Sequence, residues 1–225
     1  MFKVRCKFVT FLGDAEKYPC HFGYKKGDEI YYDGVNFTGN ICPGLMSSMM
    51  PVVLGMFLSG NRYCENIMYR YRGPDAKDPE MKKYDGVGFR PMDRSQTAGP
   101  SEIGKIIGVH SATEKPKAWH CECSDTRTLA QFAVEVVDLS ESEYALPFYR
   151  RGIAVLEKIE AEPGIAIDTI RDRFTEFERN GISPRLTPVF LQVMLEALTD
   201  VNYIEVRDGK AYPTGKEPPS RPKIG

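Results

Sequence analysis

The sequence contains no apolar run long enough to cross a membrane. Its most apolar stretch, residues 45–58, falls short of the roughly 20 apolar residues that a transmembrane helix needs. Charged and apolar residues alternate from the first residue onward, which is unlike a secretory signal or a transit peptide. We therefore expect a cytoplasmic protein without a membrane partner.

The sequence also lacks an excess of one charge, with 30 Lys and Arg against 31 Asp and Glu, a net charge of -1. A protein whose main task is to coat nucleic acid needs a clear basic excess, so this class is excluded and nucleic acid is an unexpected partner. Its 42% hydrophobic and 27% charged residues are typical of a globular protein. At roughly 150 residues per domain, such a chain forms one large domain or two small ones.

Several catalytic signatures are missing as well. There is no Gly-x-Gly-x-x-Gly after a strand, no phosphate loop, no Gly-x-Ser-x-Gly and no His-Glu-x-x-His, so common nucleotide-dependent and hydrolase mechanisms have no support. The side chains left to carry chemistry include six cysteines and three histidines. Without a secretory signal, these cysteines predict reduced thiols or metal ligands rather than a disulfide framework.

Residues 1–140 predict an α+β domain with a mixed sheet and one buried apolar helix. The helix begins at Pro43, because Pro is favoured at the first helical position, and ends near Gly60; Pro51 should kink or split it. Residues 73–100 are rich in Pro, Gly, Asp and Lys and predict a long loop. Strands are predicted from alternation and from strand-forming residues at 2–8, 28–32, 63–71, 105–110 and 132–139.

Residues 144–214 predict a separate, mainly helical domain. Three helical segments, at 148–160, 165–174 and 188–198, precede a hairpin at 203–212. This order and the passage "NYIEVRDGKAYPT" resemble winged-helix domains, many of which place their third helix in the DNA major groove. The segment holds nine Lys or Arg against eleven Asp or Glu, which favours protein association or a homodimer. The cluster Arg171, Arg173, Arg179 and Arg185 is the one feature that favours DNA. Residues 215–225, with three prolines, predict a disordered tail.

The N-terminal stretch contains "KVRCKFV", "YPCHFGYKKGDEI", "NICPGL" and "GVGFRP". With these features it resembles a family of short uncharacterised bacterial and archaeal proteins, over less than half of the chain. The resemblance implies a prokaryotic type of protein and a pair of cysteines, one in a loop and one just before the helix. Here these are Cys20 and Cys42. The resemblance implies a shape and no reaction.

Cys42 is the sharpest single candidate for catalysis. It is predicted to be the N-cap of the Pro43 helix, where unpaired N–H groups and the positive end of the helix dipole stabilise a thiolate. The alternative interpretation is an ordinary buried cysteine, because free cysteine is among the most buried residue types.

The segment His120-Cys121-Glu122-Cys123 is the second candidate. In a strand, Cys121 and Cys123 would point to one face and could share a metal ion, zinc or iron, with His120 beside them. Cys20, Cys42 or His21 could complete the four ligands that zinc favours. At an open metal site Glu122 could act as general base on a bound water. A lone Cys-x-Cys is a weak signal, so a site without metal remains the alternative.

Two functions follow from these patterns. The first is a small-molecule enzyme with a cysteine- or metal-centred site in the N-terminal domain. The second is a ligand- or redox-sensing regulator or adaptor whose winged helix binds a protein partner or DNA. Both depend on the convergence of distant cysteines near the start of the Pro43 helix.

Overall fold

A computed structural model describes residues 1–63 and 118–222. The fold is α+β, and the chain forms two compact units. The sheet unit comprises Val4–Tyr32 and Asn36–Val136, and the C-terminal unit comprises Met1–Lys3, Asp33–Val35 and Val137–Gly225. Cys64, the long loop 73–100, the strand at 105–110 and all but the first residue of the strand at 63–71 lie outside the described residues.

The sheet unit is built on five strands in the order β3-β2-β1-β5-β4. Their bounds are β1 Phe2–Phe11, β2 Glu29–Tyr32, β3 Phe37–Thr38, β4 Ala118–Glu122 and β5 Ala130–Leu139. The alternation predicted for β1 is confirmed, since Val4, Cys6 and Phe8 are buried while Lys7 is exposed. The pairs β1–β2, β2–β3 and β4–β5 are all antiparallel, so the predicted mixed sheet is wrong. Antiparallel partners need no crossover helix between them.

Helix α1, Pro43–Ser59, packs against β4. Its start at Pro43 and its end before Gly60 confirm the prediction from sequence. Pro51 does not divide the helix: its ring lies on the exposed side, while buried side chains on the opposite side, including Met49 and Val53, hold the turns before and after it. Because exposed Leu54 and Leu58 share the outer side, α1 is buried on one face rather than all round.

The C-terminal unit contains two longer helices, α2 Leu146–Ala161 and α3 Pro188–Asp200. The predicted second helix, 165–174, is instead a short strand, β6 Ile165–Ala166, followed by a 3-10 turn at Ile170–Arg173. Strands β7 Ile204–Arg207 and β8 Lys210–Pro213 complete an antiparallel sheet in the order β6-β8-β7. The predicted N-cap of α3 is confirmed, because the Thr187 side chain accepts a hydrogen bond from the Phe190 N–H at 3.1 Å.

The segment 215–222 is attached to the C-terminal unit, whereas composition predicts a disordered tail. Lys216 Nζ donates to the Val201 carbonyl at 2.9 Å, and the Tyr149 hydroxyl donates to the Ser220 carbonyl at 2.7 Å. Arg221 makes two hydrogen bonds with the Glu160 carboxylate, at 2.7 and 2.9 Å. These partners come from distant positions in the chain, which explains why a high proline content alone misjudged the segment.

Candidate functional site

A cavity of about 100 Å³ lies at the N-terminal end of α1, within the sheet unit. Its walls come from three segments: the loop at 20–24, the start of α1 at 42–45, and the loop and strand start at 123–130. Each segment contributes one cysteine, namely Cys20, Cys42 and Cys123. All three are free thiols of intermediate exposure. The structure thus brings together three sulfurs that are far apart in the sequence.

Cys42 is the N-cap residue of α1, as predicted. Its backbone is extended, with φ -83° and ψ 123°, and Pro43 follows at the first helical position. The Cys42 side chain makes no capping hydrogen bond, although the first turn of any helix leaves N–H groups without intrahelical partners. The thiol and the free N–H groups of this turn therefore face the same end of the helix.

Tyr24 fixes the backbone on which the Cys42 thiol is mounted. Its hydroxyl accepts the Cys42 N–H at 3.0 Å and donates to the Asn40 carbonyl at 2.9 Å. The Tyr24 ring is buried and makes an edge contact with Phe132, at 5.0 Å between centroids. Burial, the largest cause, raises the pKa of Tyr24 to about 12, so the hydroxyl stays protonated and keeps its donor role at physiological pH.

The start of α1 lies close to the loop that follows β4. Ser124 donates from its hydroxyl to the Gly44 carbonyl at 3.2 Å, and Ser48 donates to the Glu122 carbonyl at 2.6 Å. A Cβ atom added to Gly44 would lie 3.2 Å from Ser124 Oγ and 3.7 Å from Cys42 Sγ. A side chain at this position would therefore press on the Ser124 hydroxyl, while its contact with the Cys42 sulfur would be an ordinary one.

Cys123 lies one residue past the end of β4 and lines the cavity. The pairing of β4 with β5 continues to this residue. Its backbone N–H donates to the Ala130 carbonyl at 2.9 Å, and its sulfur accepts the Ala130 N–H at 3.2 Å. These two hydrogen bonds fix the position of the Cys123 sulfur at the cavity wall.

His21 and Asp125 add ionisable groups to the same walls. Arg127 lowers the pKa of the Asp125 carboxyl, first through hydrogen bonds from its side chain and its backbone N–H, and the His21 charge acts in the same direction. The Arg127 side chain donates to both Asp125 oxygens, at 3.0 and 3.2 Å. This end of the cavity therefore carries a carboxylate held by arginine, with an imidazole in electrostatic contact.

The other predicted site residues are not among the residues that line this cavity. Cys121 is buried in the core beside Cys6, and burial raises the pKa of each thiol to about 12. His120 pairs with Ala133 in the sheet, and its Nδ1 is buried without a hydrogen-bond partner in the described residues. The Glu122 carboxylate accepts a hydrogen bond from Gln131 at 3.0 Å.

Ser124, Asp125 and Tyr24 belong to the site but did not stand out in the sequence. A signal existed for the first two, because Ser and Asp directly after a cysteine suit a turn that leaves a strand. Nothing in the sequence singled out Tyr24 from the other 11 tyrosines. Its role depends on a contact with residues 16 and 18 positions further along the chain.

Comparison with protein-family models, curated proteins and solved structures finds no match for this chain. The resemblances to short prokaryotic proteins and to winged-helix domains therefore stay predictions. Within 1–63 and 118–222, no three His, Cys, Asp or Glu side chains stand arranged to hold a metal ion. In those same ranges no helix has the length and apolarity of a membrane span.

Proposed function

We propose that the cavity at the start of α1 is the site of a thiol-dependent small-molecule enzyme, with Cys42 as its nucleophile. The observation that carries this proposal is the position of Cys42 as the N-cap of α1 beside a cavity lined by two further thiols. Helix N-termini are among the positions where reactive cysteines occur. Nucleophilic catalysis by cysteine requires the thiolate anion.

Exposure separates Cys42 from the buried thiols of the same unit. Cys6 is 0% and Cys121 is 6% exposed, and their raised pKa values of about 12 keep them protonated. Inert structural cysteines are buried in apolar surroundings, whereas reactive ones are partly exposed in electropositive surroundings. Cys42 meets the second description, because it is half-buried at a helix N-terminus.

The size of the cavity limits what it holds. Pockets for drug-sized ligands and organic cofactors enclose roughly 300–1,000 Å³, whereas this cavity measures about 100 Å³. In the described residues it accommodates a reacting group of a few atoms, and the rest of a larger substrate would lie outside. This supports a small electrophilic compound as the substrate class.

A nucleophilic thiol also needs a group that takes its proton. Glu122 was expected to act as a base, but its carboxylate is engaged by Gln131 and is absent from the cavity walls. His21 lines the cavity together with Cys42, and Asp125 interacts electrostatically with it. In this proposal His21 takes the thiol proton and Asp125 stabilises the resulting imidazolium.

Alkylation of the native, reduced protein tests the nucleophile. With a limiting amount of iodoacetamide, we expect Cys42 to react roughly tenfold faster than Cys20 or Cys123, because of the three it alone lies at a helix N-terminus. Peptide mapping by mass spectrometry gives the rate at each cysteine. Cys42→Ser should remove the fast phase, while Cys20→Ser and Cys123→Ser, the matched controls, should retain it. A Cys42 rate no higher than that of the other two thiols would contradict the proposal.

A second candidate function concerns the C-terminal unit, which would serve as a winged-helix adaptor for a protein partner or a homodimer. Its support is the order of elements, α2, β6, a 3-10 turn, a π-helical turn at Phe177–Gly181, α3, β7 and β8, together with the three-stranded sheet. The sequence of α3 contains no Lys or Arg and includes Glu196 and Asp200. Val189, at the start of α3, is 73% exposed. An apolar, uncharged helix start suits contact with a protein surface better than contact with the phosphates of DNA.

A DNA-binding assay distinguishes a domain that binds DNA from one that binds a protein partner. We expect the full chain to pass through a duplex-DNA column at low salt without retention, because α3 has no cation to displace counterions. Analytical ultracentrifugation of the same sample would give the oligomeric state. Retention that decreases steeply with added salt would favour DNA as the partner, and a strictly monomeric protein would remove the homodimer.

A further inference from the structure

We infer that the three cavity thiols bind a soft divalent metal ion, of which Zn²⁺ is the representative, through Cys20, Cys42 and Cys123, with His21 as the fourth ligand. This set differs from the one predicted from sequence, because His120 and Cys121 do not line the cavity and His21 does. The inference concerns the same cavity as the proposed enzyme, and it stands whether or not Cys42 attacks a substrate.

The first argument is the chemistry of the donors. Three thiols and one imidazole line one cavity, and three cysteines with one histidine are an established ligand set for tetrahedral zinc. Thiolate is a soft ligand that selects zinc over magnesium or calcium, which prefer oxygen. The cavity of about 100 Å³ is too small for an organic cofactor, whereas an ion and its ligand atoms need little space.

The second argument is the surroundings of the sulfurs. Cys123 Sγ accepts the Ala130 N–H at 3.2 Å, an outer contact of the kind that tunes and orients a metal ligand. Cys42 lies at the positive end of α1, which compensates part of the negative charge of several thiolates. The Asp125 carboxylate on the cavity wall is neutralised by the Arg127 guanidinium at 3.0 Å, so this ion pair adds no net negative charge next to the thiolates.

Binding would rearrange side chains, since the described residues do not present three ligands in position for an ion. A cysteine sulfur is separated from the backbone by a single torsion with three staggered wells. A change of well at Cys20, Cys42 or Cys123 moves the sulfur around its Cβ while the backbone stays in place. Such sites commonly close only when the metal supplies the binding free energy.

The ion would also control the reactivity of Cys42. A thiolate needs its lone pair both to attack an electrophile and to bind a metal. Protein loaded with Zn²⁺ would therefore withhold Cys42 from small electrophiles, and metal-free protein would release it. Occupancy of the cavity by metal would act as a switch on the proposed nucleophile.

Metal titration of the reduced, untagged full chain tests the inference. Zn²⁺ is added to metal-free protein in competition with a chromophoric chelator, and we expect one ion per chain. Co²⁺ should give the sulfur-to-metal charge-transfer bands of a tetrahedral thiolate site. Cys20→Ser, Cys42→Ser and Cys123→Ser should each weaken Zn²⁺ binding by roughly 100-fold or more, since even outer contacts contribute 10- to 100-fold. His120→Asn, the matched control, should leave the affinity unchanged.

Protection of the thiols from alkylation by Zn²⁺, measured on the unmutated chain, tests the inference even if a variant fails to fold. One equivalent of Zn²⁺ should slow alkylation of Cys20, Cys42 and Cys123 together. Absence of stoichiometric binding, or affinity that survives all three cysteine substitutions, would overturn the inference. The proposed nucleophile is judged separately, because the rate of Cys42 alkylation is measured on metal-free protein.

Discussion

Replacing Arg151 with Met is expected to lower the free energy of unfolding by about 3 kcal/mol. The Arg151 side chain is 1% exposed and donates to three carbonyl oxygens, those of Glu178 at 2.7 Å, Ile182 at 2.5 Å and Pro184 at 2.8 Å. Each buried carbonyl left without a partner costs roughly 1–3 kcal/mol, while loss of the buried charge offsets part of the sum. Methionine retains the apolar stem and removes the donors.

Urea denaturation measures this change as a lower midpoint at an unchanged slope. Arg221→Met is the matched control, because Arg221 also makes two short hydrogen bonds, to Glu160, but lies nearer the surface. An ion pair of that kind contributes at most about 1 kcal/mol. Equal losses in the two variants would show that the buried carbonyls find other partners and that Arg151 does not hold residues 178–184.

Substitution of Gly13 by Ala should destabilise the sheet unit by about 3 kcal/mol and speed alkylation of the Cys123 thiol. An added Cβ would lie 2.2 Å from the Arg127 carbonyl oxygen and 2.7 Å from its carbon. Backbone atoms cannot move aside as a side chain can, so the segment after β1 and the loop after β4 must separate, which would expose the half-buried Cys123 thiol of that loop. That separation weakens the bond from the Gly13 N–H to the Thr128 carbonyl, now 3.1 Å, and overpacking alone costs roughly 1–3 kcal/mol.

Gly23→Ala provides the comparison, since an added Cβ there meets nothing within 4 Å although its φ is +59°. Its cost should be limited to the left-handed backbone, roughly 1–2 kcal/mol. Denaturation midpoints give the stability, and site-resolved alkylation gives the Cys123 rate. A Gly13→Ala protein as stable as the Gly23→Ala protein would show that the contact with Arg127 relaxes without loss.

Local patterns in the sequence predicted the elements whose residues determine their own conformation. The alternation of apolar and charged residues in β1 predicts a strand with one buried face. Thr187-Pro188 predicts a helix start because both residues act on the adjacent turn. The hairpin of β7 and β8 follows from Asp208-Gly209, both of which have positive φ. In each case the determining interaction lies within a few residues.

Elements fixed by distant contacts were not predictable in the same way. Residues 165–174 have apolar spacing that suits a helix, yet Ile165 pairs with Ala211 in a sheet, and pairing across some 45 positions leaves no local signal. The segment 215–222 follows the same logic, since Tyr149 and Glu160 are the residues that hold it.

The residues of the candidate site show the same difference between local and distant determinants. Cys42 was predictable from Pro43, and the convergence of Cys20, Cys42 and Cys123 agrees with the expectation from sequence. Whether Cys121 or Cys123 would join them was not predictable, because it depends on which positions of the sheet the core covers. Cys121 is buried beside Cys6, whereas Cys123, one residue past the end of β4, lines the cavity.

The burial of Cys6 and Cys121 in the core provides a way to measure how often the sheet unit opens. Cys6 is 0% and Cys121 is 6% exposed, and burial raises the pKa of both thiols to about 12. A reagent in large excess therefore reacts with them mainly when the interior opens. The rate at which the two thiols are labelled would thus measure how often the sheet separates from α1, as the rate of hydrogen exchange does for backbone amides. No dye or engineered probe would be required to follow it.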